Sequence, residues 1–370
     1  MDNPIRVLEV VAKMNRAGTE TMLMNYYRHI NRKKVQFDFA VCTEEKCDYD
    51  DEILSMGGHI YRYPQYKGGN HFRYIAWWKK FFLQHPEYHI VHGHIGSTAA
   101  IYLGIAKQFK CFTIAHSHGT KGPLSFRSLI YQFYSYPTRF IADQFFGCSM
   151  QALEDRYGKK VAYSSKARVL NNAINSDLYA YDKKTREDVR KELQITNNMF
   201  VIGTVGRLSP EKNPFMIVNI LTALKKRNID FKFIWVGVGK MKDDIIKAVN
   251  QNNLTQNVEM LGLRNDIPRV LQALDVFVFP SVWEGLGIVA IESQAAGLPT
   301  LCSDQVPIEA KVTDLCEFIS LNNTSLWVDS IIKCKGKKRL NTLDSIKNNG
   351  YDIHDNAEWL QDFYIAKSEK

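Results

Sequence analysis

The sequence contains no tight Cys-x-x-Cys pair, no clustered His/Cys set, and no Gly-x-Gly-x-x-Gly after its first β-rich run. It also lacks any stretch of about 18 consecutive apolar residues, so no transmembrane helix is expected. The seven cysteines, Cys42, Cys47, Cys111, Cys148, Cys302, Cys316 and Cys334, form an odd set without a framework. That pattern fits a reducing cytosol better than secretion and argues against a disulfide scaffold. The missing glycine fingerprint weighs against a dehydrogenase. There is no internal repeat and no low-complexity tract. Residues Met1 to Val11 are too short and too quickly interrupted for a signal peptide and read as a first buried strand. Acids are in deficit, 39 against 48 Lys and Arg, and the formal charge of +9 favours anionic partners. Charge alone does not choose among nucleic acid, nucleotide phosphates and an anionic bilayer. No nucleic-acid motif with aromatic platforms on adjacent strands is present.

What is present suits two globular domains: 370 residues, 45% hydrophobic and 12% aromatic. Short β-branched and aromatic runs alternate with helical patterns, as a parallel sheet with crossover helices requires. Val35 to Val41 alternates like a second strand, and Thr19 or Thr21 is placed to cap the helix that follows the first strand. Gly18, at that strand-to-helix loop, serves either the turn alone or the close approach of a phosphate or sugar. The window Phe72 to Leu83, crowded with aromatics, reads as core packing with a remainder left for contact.

Residues 121–140 carry Lys121, Arg127 and Arg139 and no acid, among Leu124, Phe126, Leu129, Phe133, Tyr134, Tyr136 and Phe140. This stretch either sits at an anionic membrane surface or closes over its own domain's core. His118, beside Gly119 at a strand end, is either a ligand contact or a hydrogen-bonding residue. From Asn175 through Asp188 the polar, charged sequence marks a linker and an exposed helix. The basic cluster Lys333 to Arg339 reads as a solvated face, and Gly237-Val238-Gly239 as a lone Gly-x-Gly fragment.

The central constellation runs from Gly203 to Glu292. Arg207 and Lys212, on either side of one strand-to-helix turn, together match a diphosphate, and both strengthen as charge gathers on a departing phosphate. Glu284 at a later turn, and Glu292 two turns into the next helix, are acceptors for vicinal hydroxyls. The backbone N–H groups from Gly287 through Ile288 to Val289 open that helix and attract phosphate. Such a site suits a nucleotide sugar.

Gly206-Arg207-Leu208 with Lys212-Asn213, and Glu284-Gly285-Leu286-Gly287 with Glu292, resemble the bacterial retaining glycosyltransferases of family 4, and the likeness covers nearly the whole chain. The resemblance implies α/β GT-B architecture, with two Rossmann-like domains facing across a cleft. It expects an acceptor-binding domain over 1–175, a nucleotide-sugar domain over 176–350 and a final helix, 351–370, returning to the first domain. By resemblance, Arg207 and Lys212 bind the donor diphosphate, Glu284 the donor sugar and Glu292 the ribose. His118 contacts the transferred sugar, Leu263 and Arg264 lie beside the nucleobase, and Gly18 belongs to a phosphate loop whose first glycine is here Ala17. Where members usually have proline, this chain has Val289.

The implied reaction moves a sugar from a nucleotide donor, with a family preference for uridine, to a glycan or lipid-linked acceptor of the capsule or exopolysaccharide kind. No cofactor and no metal are required in that scheme. A sugar-nucleotide epimerase of similar fold and a catalytically silent sugar-nucleotide binder are the competing readings.

Overall fold

The computed structural model describes residues 4–119 and 126–368. They fall into two compact units, one running to Ile174 and resuming at Asp352, the other Asn175–Tyr351. In the first, strands β1 (Ile5–Val10), β2 (Val35–Val41), β3 (Ile60–Arg62), β4 (Ile90–Gly93), β5 (Phe112–Ser117), β6 (Gln144–Gly147) and β7 (Ala167–Val169) form one parallel sheet. Its spatial order is β3-β2-β1-β4-β5-β6-β7. In the second, β8 (Val201–Val205), β9 (Lys232–Val236), β10 (Val258–Gly262), β11 (Val276–Phe279), β12 (Thr300–Ser303) and β13 (Cys316–Ile319) run parallel in the order β10-β9-β8-β11-β12-β13. The order reverses between β1 and β4, and again between β8 and β11. Chain leaving the carboxyl ends of these neighbours diverges there and opens a crevice for ligand.

The alternation in β2 does not give a wet face, because all seven residues are buried. Its polar members are satisfied internally: Asp38 accepts from Arg6 Nε at 2.6 Å and from the Tyr88 hydroxyl at 2.7 Å, and Gln36 donates to the Tyr27 hydroxyl at 2.7 Å. A parallel sheet covered on both faces leaves no polar side to solvate.

The helix Gly18–His29 is entered through extended Ala17 without a side-chain cap, so neither Thr19 nor Thr21 caps it. Thr21 Oγ1 instead lies 3.1 Å from the Tyr49 hydroxyl. A side-chain cap does occur at Ser149, which accepts from Ala152 N at 3.1 Å and starts the helix Met150–Tyr157.

Most of the aromatic helix His71–Gln84 is core: Tyr74, Trp78, Phe81 and Phe82 are buried, and Trp77 stacks on Phe81. Phe72 and Leu83 remain exposed. In the second aromatic stretch, Phe133 is 77% and Phe140 74% exposed, so these rings do not close over the core. Lys121 and Leu124 lie outside the described residues, as do the side chains of Phe126 and Arg127. No helix among the described residues is long and apolar enough to cross a membrane. The closing helix, Ile353–Ser368, buries Ile353, Ala357, Leu360 and Tyr364 in the core between β1, β2 and the helix Gly18–His29.

Two charged stretches are more deeply committed than their composition suggests. The helix Lys183–Glu192 is no mere exposed linker: Arg190 is 1% exposed, and its guanidinium meets Asp275 at 2.9 Å. Arg339 is likewise not part of a solvated face. It donates to the carbonyls of Leu271, Gln272 and Leu274, where the helix Ile267–Ala273 ends, and to Ala296 O after the helix Ile288–Ala295. A cation at helix carboxyl ends satisfies acceptors that have no intrahelical donor.

Candidate functional site

In the second unit, β8 ends at Val205 and the chain passes Gly206 and Arg207 into a tight turn at Pro210–Lys212. Asn213 then takes a left-handed conformation, φ 51° and ψ 52°, before Pro214 opens the helix Pro214–Lys226. Asparagine tolerates that conformation, and proline at a first helical position loses no useful donor. The result turns Lys212 back across the strand ends. Its stem lies over Gly206, where a Cβ would stand 3.6 Å from Cδ, and its Nζ sits 4.8 Å from the centre of the Phe279 ring. That ammonium is bonded to the Glu284 carboxylate. Arg207, on the same loop, is exposed.

Glu284 arrives from the neighbouring strand. The loop after β11 is tied to the first loop by Val282 N donating to Glu211 O at 2.8 Å, and to β12 through the Ser303 hydroxyl on Ser281 O. Gly287 is left-handed at φ 81°, and a Cβ there would meet Phe279 Cε1 at 3.0 Å. Glycine is therefore required both by conformation and by space. It opens the helix Ile288–Ala295, whose first N–H groups, at Ile288 and Val289, have no partner within the helix.

Glu292 lies one turn into this helix rather than two. Burial raises its carboxyl above the usual range, and the hydrogen bond from Tyr179 opposes that. Leu263, just past β10, is 78% exposed, while Arg264 is held by Asp266 at 2.7 Å and Glu192 at 3.1 Å.

Gly237-Val238-Gly239 is part of this construction, which its lone Gly-x-Gly spacing did not suggest. The segment follows β9 and supports the Arg207 loop: Leu208 N donates to Val238 O at 3.1 Å and Gly206 N to Val236 O at 2.9 Å. A Cβ on Gly237 would stand 2.0 Å from Gly206 O, and one on Gly239 2.2 Å from Leu208 O. Backbone cannot yield as a side-chain tip can. Gly239→Ala should therefore displace the loop carrying Arg207 and lower kcat/KM for the transfer that the sequence resemblance implies by about 10²-fold. Steady-state kinetics beside a thermal melt checks this, with a melting loss of a few degrees expected from about 1–2 kcal/mol of strain.

The remaining predicted residues belong to the first unit. Gly18 begins the helix Gly18–His29, and a Cβ there would meet nothing within 4 Å. No internal contact requires the glycine. His118 follows β5 and belongs to a cluster that only the pairing of β4 with β5 reveals. His92 and His94 at the end of β4, and His116 and His118 at the end of β5, converge above Glu9 of β1. His94 lies 2.7 Å from both Glu9 and His118, His92 lies 2.6 Å from the Tyr364 hydroxyl, and His116 stacks on His118 at 4.1 Å.

Nitrogens of His92, His94 and His116 lie within 4.8 Å of one another, the one group with metal-ligand spacing among the described residues. Apart from His116 Nε2, those ring nitrogens are engaged with Tyr364, Glu9, His118 and each other, so the cluster is a hydrogen-bond network. Burial holds all four imidazoles neutral, with His94 lowered to about 3 and the other three well below the usual histidine range.

The comparisons with known proteins bear on both units. Residues 185–350 match the family model "Glycosyl transferases group 1". The chain is 29% identical to the putative glycosyltransferase EpsF of Bacillus subtilis over 99% of its own length and 97% of that protein's. It is 31% identical, over 54% of each chain, to an Escherichia coli UDP-Gal:alpha-D-GlcNAc-diphosphoundecaprenol alpha-1,3-galactosyltransferase. In fold it matches the Anabaena protein HepE, solved in complex with UDP, with a TM-score of 0.73 at 16% identity over 99% and 97% of the two chains. With the glycosyl transferases group 1 match over residues 185–350 and the likeness to EpsF over nearly its whole length, the chain is a glycosyltransferase of GT-B fold.

Proposed function

We propose that the protein transfers a sugar, with retention of anomeric configuration, from a UDP-linked donor to an acceptor hydroxyl on a polyprenyl-diphosphate-linked glycan, as in capsule or exopolysaccharide assembly. The observation that carries this reading is the Lys212–Glu284 pair, held at the carboxyl edge of a parallel sheet beside the open start of the helix Ile288–Ala295. The likeness to the Escherichia coli galactosyltransferase, which is named for a UDP-Gal donor and a diphosphoundecaprenol acceptor, supports both the UDP donor and the lipid-linked acceptor. The HepE complex supports a uridine nucleotide.

In this reading cation and anion hold one another until the donor parts them. The diphosphate takes Lys212, together with Arg207 and the N–H groups of Ile288 and Val289. Glu284 is released to accept hydroxyls of the donor sugar, and Glu292 accepts those of the ribose. Leu263 and Arg264 flank the base, chiefly through their backbone, because the Arg264 side chain is already occupied. Gly18 leaves backbone open to the donor phosphates, in keeping with the empty space around it, and His118 meets the transferred sugar.

The bond from the anomeric carbon to the β-phosphate oxygen breaks as the acceptor oxygen bonds to the same face. The acceptor proton passes to that phosphate oxygen. Lys212 and Arg207 supply the countercharge, so the scheme needs no metal.

The test is a screen of UDP-, GDP- and ADP-linked sugars with lipid-linked acceptors, followed by linkage analysis. UDP-dependent transfer with the donor's anomeric configuration in the product is expected. Inversion, or turnover of donor to an epimer without acceptor, would overturn the reading.

A pH dependence follows from Glu292. Its ionised form accepts the ribose hydroxyls, and burial places its titration above that of an ordinary carboxyl at about 4.3. As pH falls through that raised value the proton occupies an acceptor oxygen. Donor KM should therefore climb at a less acidic pH than an unshifted Glu would give, and Glu292→Gln should flatten that limb of the KM–pH profile.

Exposed Phe133, Tyr136 and Phe140, with the net charge of +9, support peripheral contact with an acidic membrane. Sedimentation with vesicles rich in acidic lipid should carry the protein down. Equal recovery with neutral vesicles counts against that contact.

A further inference from the structure

The histidine cluster contains a chain of hydrogen bonds whose direction is set at its buried end. His118 Nε2 lies 2.7 Å from His94 Nδ1, and His94 Nε2 lies 2.7 Å from Glu9 Oε2. A second branch runs from His116 Nδ1 to His92 Nε2 at 3.2 Å, from His92 Nδ1 to the Tyr364 hydroxyl at 2.6 Å, and from that hydroxyl to Glu9 Oε1 at 3.2 Å. A neutral imidazole carries one N–H and one lone pair, so each ring passes on the polarity that it receives.

With Glu9 ionised, every bond runs toward its carboxylate. His94 donates to Glu9, His118 donates to His94, and the outer nitrogens, His118 Nδ1 and His116 Nε2, are left as bare lone pairs. Both of these atoms are buried and lack a hydrogen-bond partner among the described residues. With a proton on Glu9 Oε2 the first branch reverses, and His118 Nδ1 carries N–H.

Among the described residues, the titratable groups facing this chain are Glu9 from β1, His92 and His94 from β4, His116 and His118 from β5, Tyr364 from the closing helix, and Tyr26 of the helix Gly18–His29 beside Tyr364. The ring of Phe146 on β6 contributes only an edge, with its centre 5.9 Å from that of His116. Glu9 is 0% exposed and the His94 side chain 1% exposed. Water does not average their roles.

We propose that Glu9, acting through His94, determines whether the outer nitrogen of His118 meets a bound sugar as an acceptor or as a donor, which makes Glu9 and His94 positioning residues for sugar transfer. The functional half of this inference rests on the reading that His118 contacts the transferred sugar. The structural half does not. A buried carboxylate orienting one imidazole through another gives a ligand hydroxyl a single-polarity partner, and the wrong polarity costs that hydrogen bond.

The test uses the full chain with 15N-labelled histidine. Burial raises the Glu9 carboxyl well above the ordinary range, so two-bond proton–nitrogen spectra of the wild type should show His118 as the Nδ1–H form below the Glu9 titration and as the Nε2–H tautomer above it. In Glu9→Gln the Tyr364 hydroxyl fixes the amide carbonyl on its own side, so the amide N–H2 faces His94 and His118 should convert to the Nδ1–H form. His94→Asn cuts the link, and in that background Glu9→Gln should leave the His118 spectrum unchanged.

An unaltered His118 tautomer in Glu9→Gln overturns the proposal whatever the activity. So does a change that persists with His94→Asn. If Glu9→Gln fails to fold, a wild-type His118 whose tautomer does not change as Glu9 titrates, or a His94→Asn variant whose His118 keeps the wild-type tautomer, overturns it equally.

Kinetically, Glu9→Gln should lower kcat by about tenfold with donor KM within about twofold, since a hydrogen bond of wrong polarity loses about that much. Tautomer inversion with unchanged kcat would overturn the positioning role. The spectra need no substrate, so a chain that transfers no sugar would refute the donor reading while the tautomer result still decided the coupling.

Discussion

Lys212→Ala should abolish transfer, with kcat down by about 10³-fold and the fold retained. The ammonium is one of the two cations proposed to hold the diphosphate, and a preorganised charge aimed at a departing phosphate is worth about 10²–10³ in rate. Its present partner, Glu284, is at the ligand-facing edge of the sheet, where the Lys212 side chain is 22% and the Glu284 side chain 11% exposed. Water enters when the side chain is cut back, so the stability loss should stay near 1 kcal/mol, a few degrees in a melt. The contrast with Glu284→Ala locates the role. That variant should lose kcat comparably yet keep donor affinity within a few-fold, because it leaves the diphosphate cation free. Activity near wild type in both variants, measured with the donor identified by the screen, would remove this pair from the mechanism.

Much of this arrangement is legible from the residues alone, for a definite reason. Strands such as Val276–Phe279 announce themselves because burial on both faces of a parallel sheet demands apolar runs, and glycine and proline punctuate the chain between them. The carriers of the proposed chemistry sit just after such runs, so Arg207, Lys212 and Glu284 stand out once β8 and β11 are drawn as neighbours.

What stays hidden depends on pairing between distant strands. His92-x-His94 and His116-x-His118 are two identical spacings at two strand ends, a signal that becomes a cluster only when β4 lies beside β5, with His92 opposite Ile114 and Gly93 opposite Ala115. The bare glycines 237 and 239 acquire meaning only against the backbone of residues 206 and 208. Asp38 and Gln36 look like solvent-facing positions until Arg6, Tyr88 and Tyr27 are seen to fill them. A polar residue in sequence does not reveal whether water or another side chain will satisfy it.

The same limit conceals Arg190, whose loss should be the most destabilising single change considered. Its guanidinium donates to Ala273 O at 3.0 Å, Asn197 O at 2.9 Å and Met199 O at 3.0 Å besides Asp275. Asp275 in turn receives Arg186 at 2.5 Å and Val201 N at 2.7 Å. Val201 begins β8 and Val276 begins β11, so this buried node pins the amino ends of the two strands whose carboxyl ends carry Arg207 and Glu284.

Arg190→Met fills much of the volume but leaves several carbonyls without a donor and Asp275 with one guanidinium fewer. Breaking a buried pair in this way costs about 3–5 kcal/mol. The transition of the unit Asn175–Tyr351 should fall by about 10 °C, following the usual few degrees per kcal/mol for a domain of this size. The double variant Arg190→Met, Asp275→Asn should regain none of the loss, because Asp275 also holds Arg186 and Val201 N, and its neutralisation leaves the Arg186 guanidinium short of its carboxylate. Per folded molecule, kcat should change much less than in Lys212→Ala, since Arg190 acts on the frame and not on the donor. A melt unchanged by Arg190→Met would mean that the strand ends are held by apolar packing alone.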